Sequence, residues 1–332
     1  MTKNKRPTLQ DIADYLGITK MTISRYLRNP DSVANGTQAR IAEAIERFGY
    51  IPNRAPDILS NAKSRAIGVL VPSLTNQVFA NVIRGIEQIT DKAGYQTMLA
   101  HYGYSEKKEE RRIESLLSYN VDGIILSESQ HSEKTKKMLK VANIPVIEIM
   151  DTTEVGIQQV VGFDNIAAAQ AMVETMINRG HCNVVYFAAR QDKRTRLRQQ
   201  GYENAMAKHQ LTPHVIATKE HSSFTLGGEL LHQALETFPQ IDGIFCTNDD
   251  IAIGAIFECQ RLGIQVPKHI AVAGFHGHDV GQSITPQLAT VITPRLDIGR
   301  IAAQELLARI DDVPAQSAII NLGYQIHLGE SI

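Results

Sequence analysis

Leu9-Gln-Asp-Ile-Ala-Asp-Tyr-Leu-Gly-Ile-Thr-Lys-Met-Thr-Ile-Ser-Arg-Tyr-Leu-Arg28 reads as two short amphipathic helices around a glycine turn. Leu9, Ile12, Ala13 and Leu16 follow the i, i+3, i+4, i+7 spacing of a helix with one buried face. Thr8 and Asp11 form a capping pair, and Gly17 permits the left-handed backbone that ends the helix. Thr19 is placed to cap a second helix, in which Ile23 and Leu27 pack inward. A third helix, Thr37 to Phe48, buries Ile41, Ala44, Ile45 and Phe48 and stops at Gly49. Such a trio fits either a small helical interaction module or a helix-turn-helix unit whose second helix enters the DNA major groove. The wet faces of the second helix carry Lys20, Thr22, Ser24, Arg25 and Arg28 and no carboxylate, the donors that phosphates and guanine edges accept.

These residues also carry a resemblance. Leu9-Gln-Asp-Ile-Ala, Gly17-Ile-Thr-Lys-Met-Thr-Ile-Ser-Arg25 and Gly49-Tyr-Ile-Pro-Asn-Arg54 are similar to the amino-terminal signature of LacI/GalR-type bacterial transcription regulators. Arg54-Ala-Pro-Asp-Ile-Leu-Ser-Asn-Ala and Phe275-His-Gly-His-Asp279 most resemble the gluconate-operon repressors within that family, with idonate regulators as near kin. The resemblance implies that Lys20, Met21 and Arg25 face base edges; Met21 departs from the polar readers of several relatives, so a thymine methyl is its expected contact. The resemblance implies further that Thr19, Thr22, Ser24 and Asn53 hold phosphates or sugar, and that Thr8, Leu9 and Tyr50 join the same interface. It makes 51–63 a hinge that becomes helical on DNA, with Leu59 wedged into the minor groove. Read without the family, two nearby prolines and Leu59 fit an ordinary linker equally well.

Net charge is −1, but residues 1–55 hold nine bases against five acids while the remainder is net −5. A basic head on an acidic body suits a polyanion partner for the head alone. Cys182, Cys246 and Cys259 lack metal or redox spacing and read as free thiols in a reducing compartment. No stretch is apolar enough to span a membrane, and the basic start at Met1 leads into no signal-peptide core. A cytoplasmic protein without a membrane partner is therefore expected.

From Arg65 the pattern changes to short apolar runs alternating with helical stretches. Strands are predicted at Ile67–Val71, Tyr95–Ala100, Asp122–Leu126 and Pro145–Ile149, then at Asn183–Ala188, Asp242–Cys246 and Ile270–Gly274. Helices between them imply βαβ units and parallel sheets. Asp122-Gly-Ile-Ile-Leu and Asp242-Gly-Ile-Phe-Cys are near copies, one per half, so two α/β lobes with a ligand cleft between them are expected. The resemblance implies a periplasmic-binding-protein-like core and returns the last helix, Leu296 to Ile310, and the strand near Ile319 to the first lobe. The expected fold is α/β: a helix-turn-helix DNA-binding domain (1–50), the hinge (51–63) and an effector-binding, dimerising core (64–332). Its first lobe takes about 64–161 and 294–322, its second about 162–293 and 323–332.

Effector candidates gather at predicted strand ends. Asn248 and Asp249 read either as helix caps or, by resemblance, as an effector hydrogen-bonding residue and its neighbour. In Arg194-Thr-Arg-Leu-Arg198 a solvated basic face competes with the resemblance, which sends Arg198 into the cleft to grip a carboxylate. His276 stands where many sugar- and purine-sensing relatives have an aspartate. An imidazole there removes repulsion towards an anion, which with Arg198 points to a sugar acid such as gluconate. Metal binding by His276, His278 and Asp279 is the weaker alternative. Phe79 and Phe224 are candidate cleft walls, and Glu148 a hydroxyl acceptor. No nucleotide, hydrolase or zinc motif is present, so neither an enzyme nor a cofactor is expected. The predicted partners are a near-palindromic operator duplex, a small sugar-acid effector and a second copy of the chain, without a heptad tail for a tetramer. The rival reading is a cytoplasmic sugar-acid binding or catalytic protein whose helical head docks a protein.

Overall fold

In the computed structural model, which describes residues 6–53 and 63–332, the first helix, α1 (Leu9–Leu16), opens with a reciprocal cap. The Asp11 N–H donates to Thr8 Oγ1 at 3.4 Å, and Asp11 Oδ2 accepts from the Thr8 N–H at 2.7 Å. Gly17 ends the helix at φ 65°, and Thr19 caps α2 (Lys20–Arg28) by accepting from the Thr22 N–H at 3.3 Å. The third helix, α3 (Asn35–Phe48), begins two residues before the expected Thr37 and stops at Gly49 with φ 56°. Helices this short are marginal alone in water. What holds them is a small core of Ile12, Ala13, Ile23, Val33, Ile41, Ala44 and Tyr50. Arg40 Nη2 donates to the Leu16 carbonyl at 2.9 Å, and Arg47 Nη1 to Tyr15 Oη at 2.6 Å, tying α3 to α1. Contacts divide the chain into two units, Met1–Ser64 and Arg65–Ile332, so this trio is an independent body. The predicted hinge helix and Leu59 lie outside the described residues.

The second unit holds two six-stranded sheets. The first contains β1 (Ala66–Val71), β2 (Gln96–His101), β3 (Gly123–Leu126), β4 (Val146–Ile149), β5 (Gln159–Gly162) and β11 (Ile319–Asn321). Its order is β11-β5-β4-β3-β1-β2, all parallel. The second is built from β6 (Val184–Ala188), β7 (His214–Ala217), β8 (Gly243–Cys246), β9 (Ala271–His276), β10 (Ala289–Ile292) and β12 (Gln325–His327). Its order is β12-β10-β9-β8-β6-β7, with β12 alone antiparallel. Ile67, Val69 and Val71 of β1 face one core, whereas Leu70 faces another, so the strand is buried on both sides and reads as an unbroken apolar run.

Helices cover the sheets: α4 (Gln77–Thr90), α5 (Glu106–Ser118), α6 (Glu133–Ala142) and α12 (Arg295–Ile310) on the first lobe; α7 (Asn165–Asn178), α8 (Lys193–Lys208), α9 (Phe224–Thr237), α10 (Asp249–Arg261) and the short α11 (Asp279–Ser283) on the second. The chain passes between lobes three times, from β5 to α7, from β10 to α12, and from β11 to β12. Glycines set the helix crossings. A Cβ on Gly299 of α12 would stand 2.0 Å from the Val82 carbonyl oxygen of α4, and one on Gly254 of α10 would stand 2.0 Å from that of Phe224. Only a residue without a side chain allows that approach. Strands β5, β7, β10 and β12 and helix α11 were not predicted. Each has three to five residues, too few to express a period, and forms because its neighbours leave it buried or paired.

Candidate functional sites

The head presents the face that its sequence suggests. Ile23 is fully buried, which turns Lys20, Arg25, Arg28 and Met21, the last 73% exposed, away from the core. The Thr19 and Thr22 hydroxyls lie 3.0 Å apart at the start of the same helix. Thr8, Leu9, Tyr50 and Asn53 line one concavity of this unit. Tyr50 is only 8% exposed and packs in the core of this unit with Ile41 and Ala44 while it also lines the concavity.

In the larger unit the carboxyl ends of the strands converge on a narrow cleft. Asn76, Val78, Phe79, Tyr104 and Met150 come from the first lobe, and Arg190, Asp192, Arg194, Arg198 and His276 from the second. Ligands of open α/β sheets bind in such a place. Four of these lining residues have a left-handed backbone without being glycine: Tyr104 at φ 58°, Met150 at 80°, Arg190 at 68° and His276 at 107°. Each such conformation costs about 1–3 kcal/mol and persists only where its surroundings hold it, a mark of functional sites.

Arg198 is the centre of the second-lobe wall. Its guanidinium sits 3.9 Å above the Phe275 ring, while Nε donates to Asn165 Oδ1 at 3.1 Å and Nη1 to the Thr247 carbonyl at 2.6 Å. Burial lowers its pKa to about 10. His276 is 3% exposed, and its Nδ1 lies 3.2 Å from Thr293 Oγ1. Burial, and then the Arg198 charge, hold it well below the usual imidazole range, so the ring is neutral at pH 7. Asp192 caps α8 by accepting from the Thr195 N–H at 2.8 Å. Burial alone would raise its pKa, but the Arg194 and Arg190 guanidiniums outweigh that and lower it. Arg194 lies 5.7 Å from the Phe79 ring and donates to the Ser127 carbonyl at 2.6 Å, with Glu128 among the charges that raise its pKa. Among the lining residues three guanidiniums meet one carboxylate, Asp192, so the wall is net positive.

Phe79, Arg198 and His276 are thus brought together, and the other four effector candidates are not among the lining residues. Glu148 is not among the lining residues because β4 alternates: Ile147 and Ile149 join the larger apolar core, so Glu148 points to the opposite face of the sheet. There it accepts from the Ile157 N–H and sits 3.1 Å from His131 Nε2, whose Nδ1 is 2.9 Å from Glu109. Burial opposes protonation of His131, but the two carboxylates prevail and raise its pKa to about 9. Phe224 is 42% exposed on the outer surface of the second lobe, edge-on to Phe257 at 6.3 Å, because the first turn of α9 faces outward. Asn248 caps α10 through the Ile251 N–H at 3.2 Å, and its Nδ2 donates to Ser222 Oγ at 2.7 Å. Asp249 lies behind the wall, accepting from Thr290 Oγ1 at 2.6 Å and from the His278 N–H, its pKa raised by burial. Asn76, Tyr104, Met150, Arg190 and Asp192 escaped the sequence reading. Their common signal is position just beyond a strand. Among the described residues no three His, Cys, Asp or Glu side chains are arranged to hold a metal, and no helix is long and apolar enough to cross a membrane.

Comparisons with known proteins follow the same division. Residues 8–53 match the family model for bacterial regulatory proteins of the lacI family, and residues 64–327 that for periplasmic binding proteins and the sugar binding domain of the LacI family. The chain is 55% identical over 330 residues to the HTH-type transcriptional regulator GntR of Escherichia coli K12, covering 99% of this chain and all of that one. It is 47% identical over 331 residues to the regulator IdnR of the same organism, covering 99% of this chain and all of that one. Among solved structures, a LacI-family transcriptional regulator from Silicibacter pomeroyi superposes with a TM-score of 0.92 at 31% identity, covering 98% of this chain and 99% of that one. The lac repressor dimer bound to operator and an anti-inducer gives 0.86 at 21% identity, with 98% and 99% covered, a likeness of fold alone.

Proposed function

The chain belongs to the LacI family of bacterial transcription regulators, and we propose that it represses sugar-acid catabolic genes until an aldonate such as gluconate fills its cleft. The observation that carries the ligand class is the second-lobe wall. Arg198, Arg190 and Arg194 face the cleft against the single carboxylate of Asp192, and His276 stands there uncharged, so the lining is net positive and suits a small anion. Phe79 and Val78 offer the apolar side on which a carbon chain can lie.

At the other end, two heads read two half-sites of a near-palindromic operator. Lys20, Met21 and Arg25 contact base edges, and Thr19, Thr22, Ser24 and Asn53 hold the backbone. Thr8, Leu9 and Tyr50 frame that contact. The second copy docks on the outer face of the second lobe, where Phe224 and Phe257 are exposed and Glu229, Glu258, His232 and Arg261 rim them with both signs of charge. A rim of mixed sign is self-complementary under a two-fold axis. The effector must bind the closed arrangement better than the open one, and by linkage it then weakens the operator complex.

Calorimetry with gluconate, idonate, their phosphates and glucose tests the ligand class. Tightest binding of an unphosphorylated aldonate is expected, and tightest binding of neutral glucose overturns the reading. A mobility shift on near-palindromic duplexes at graded salt tests the operator half, with affinity falling steeply as salt rises.

A further inference from the structure

Lys193 is the first residue of α8 and is 6% exposed, a buried ammonium at the helix end whose dipole disfavours cations. All that holds it lies on the opposite lobe: Ser129 Oγ at 2.9 Å, Glu154 Oε2 at 2.7 Å and Asp151 Oδ2 at 3.6 Å. The neighbouring bases reach the same first-lobe loop, Arg194 at the Ser127 carbonyl and Arg196 Nη2 at Gln130 Oε1, 3.4 Å away. That loop is anchored from behind by His131 between Glu109 and Glu148. Lys193 itself does not line the cleft.

A chain of contacts leads from it to the residue that does. Asp151 Oδ1 accepts from Asn165 Nδ2 at 3.3 Å, and Asn165 Oδ1 accepts from Arg198 Nε at 3.1 Å. We propose that Lys193 is the positioning residue of effector recognition: it latches the lobes together across the seam and, through Asp151 and Asn165, fixes the pose of Arg198. This rests on the cleft being the effector site. An ionic seam suits a joint that must open. Desolvation nearly cancels the attraction of a buried ion pair, and water re-solvates both partners when the lobes part, so neither state is strongly favoured. An apolar seam would lose its burial on opening and hold shut.

The test is Lys193→Met in the full chain, read by calorimetry with gluconate and by hydrogen exchange of amides 127–132 without ligand. The gluconate Kd is expected to rise about tenfold, within the range of ordinary allosteric coupling, while the loop amides exchange faster. Lys193→Arg, which keeps the charge, should restore most of the affinity. A Kd within twofold of the parent together with unchanged exchange overturns the latch. If the parent chain binds no aldonate, the effector reading falls separately: faster exchange in Lys193→Met then still upholds the latch, and unchanged exchange still sinks it. Should Lys193→Met fail to fold, Glu154→Ala carries the same test from a carboxylate that is 61% exposed at the rim. It should raise the Kd about threefold, as loss of a half-exposed ionic partner implies, and an unchanged Kd and exchange overturn the proposal.

Discussion

Replacing Arg198 by methionine separates what binds ligand from what holds the fold. Burial lowers the guanidinium pKa from its ordinary value to about 10, so the folded chain disfavours that charge by roughly 3 kcal/mol. The sign follows from its being a base: the cost is present at every pH below about 10 and fades only as alkali deprotonates the group. Methionine removes this cost but leaves the Asn165 Oδ1 and Thr247 carbonyl oxygens without their donor, at about 1–3 kcal/mol each. It also exchanges the stacked cation over Phe275 for a thioether, a loss of up to about 2 kcal/mol. These opposing terms leave a net change of a few kcal/mol at most, or roughly 10 °C in Tm. Aldonate binding, by contrast, loses a charge-assisted fork worth about 3 kcal/mol or more, a hundredfold in Kd. Differential scanning fluorimetry and calorimetry on the same sample read both numbers. A collapse in Tm with aldonate affinity retained would show Arg198 to be a structural residue and refute the reasoning.

Three further outcomes are expected. Gly299→Ala drives a methyl to 2.0 Å from the Val82 carbonyl and should cost about 3 kcal/mol or more, seen as a lower urea midpoint, whereas an unchanged midpoint would mean the α4–α12 crossing relaxes freely. Arg25→Ala should weaken operator binding by about 1–3 kcal/mol and relax specificity at one base pair in a fluorescence-anisotropy titration, with aldonate affinity untouched. Because the His131 pKa is raised from 6.5 to about 9, its ion cluster contributes full stability below pH 6.5 and loses it as pH rises through 9. Urea titrations from pH 6 to 10 should show a decline of up to about 3 kcal/mol that His131→Gln flattens; parallel curves would mean that the cluster does not titrate there.

The head was legible almost residue by residue because its signals are local. Thr8, Gly17, Thr19 and Gly49 are caps and stops, read from the order of neighbours along the chain. Arg198 and His276 were pointed to by the family resemblance, since the basic run at 194–198 read alone as a solvated helix face, and the parallel sheets by the rhythm of apolar runs. Glu148 and Phe224 were not legible. Which face of β4 a residue occupies depends on strand register, and which way the first turn of α9 points depends on the packing of Gly227 and Gly254. His131, caught between carboxylates 22 and 17 positions away, leaves no local trace at all.

The three passages of the chain between lobes bear on the order in which a growing polypeptide becomes competent. Residues 6–53 complete their own helical body early in translation. The first sheet waits for its edge strand at Ile319–Asn321 and the second for Gln325–His327, so neither half of the sensor is finished before the ribosome reaches those codons. A nascent molecule therefore owns a reader of DNA well before it owns the device that governs it.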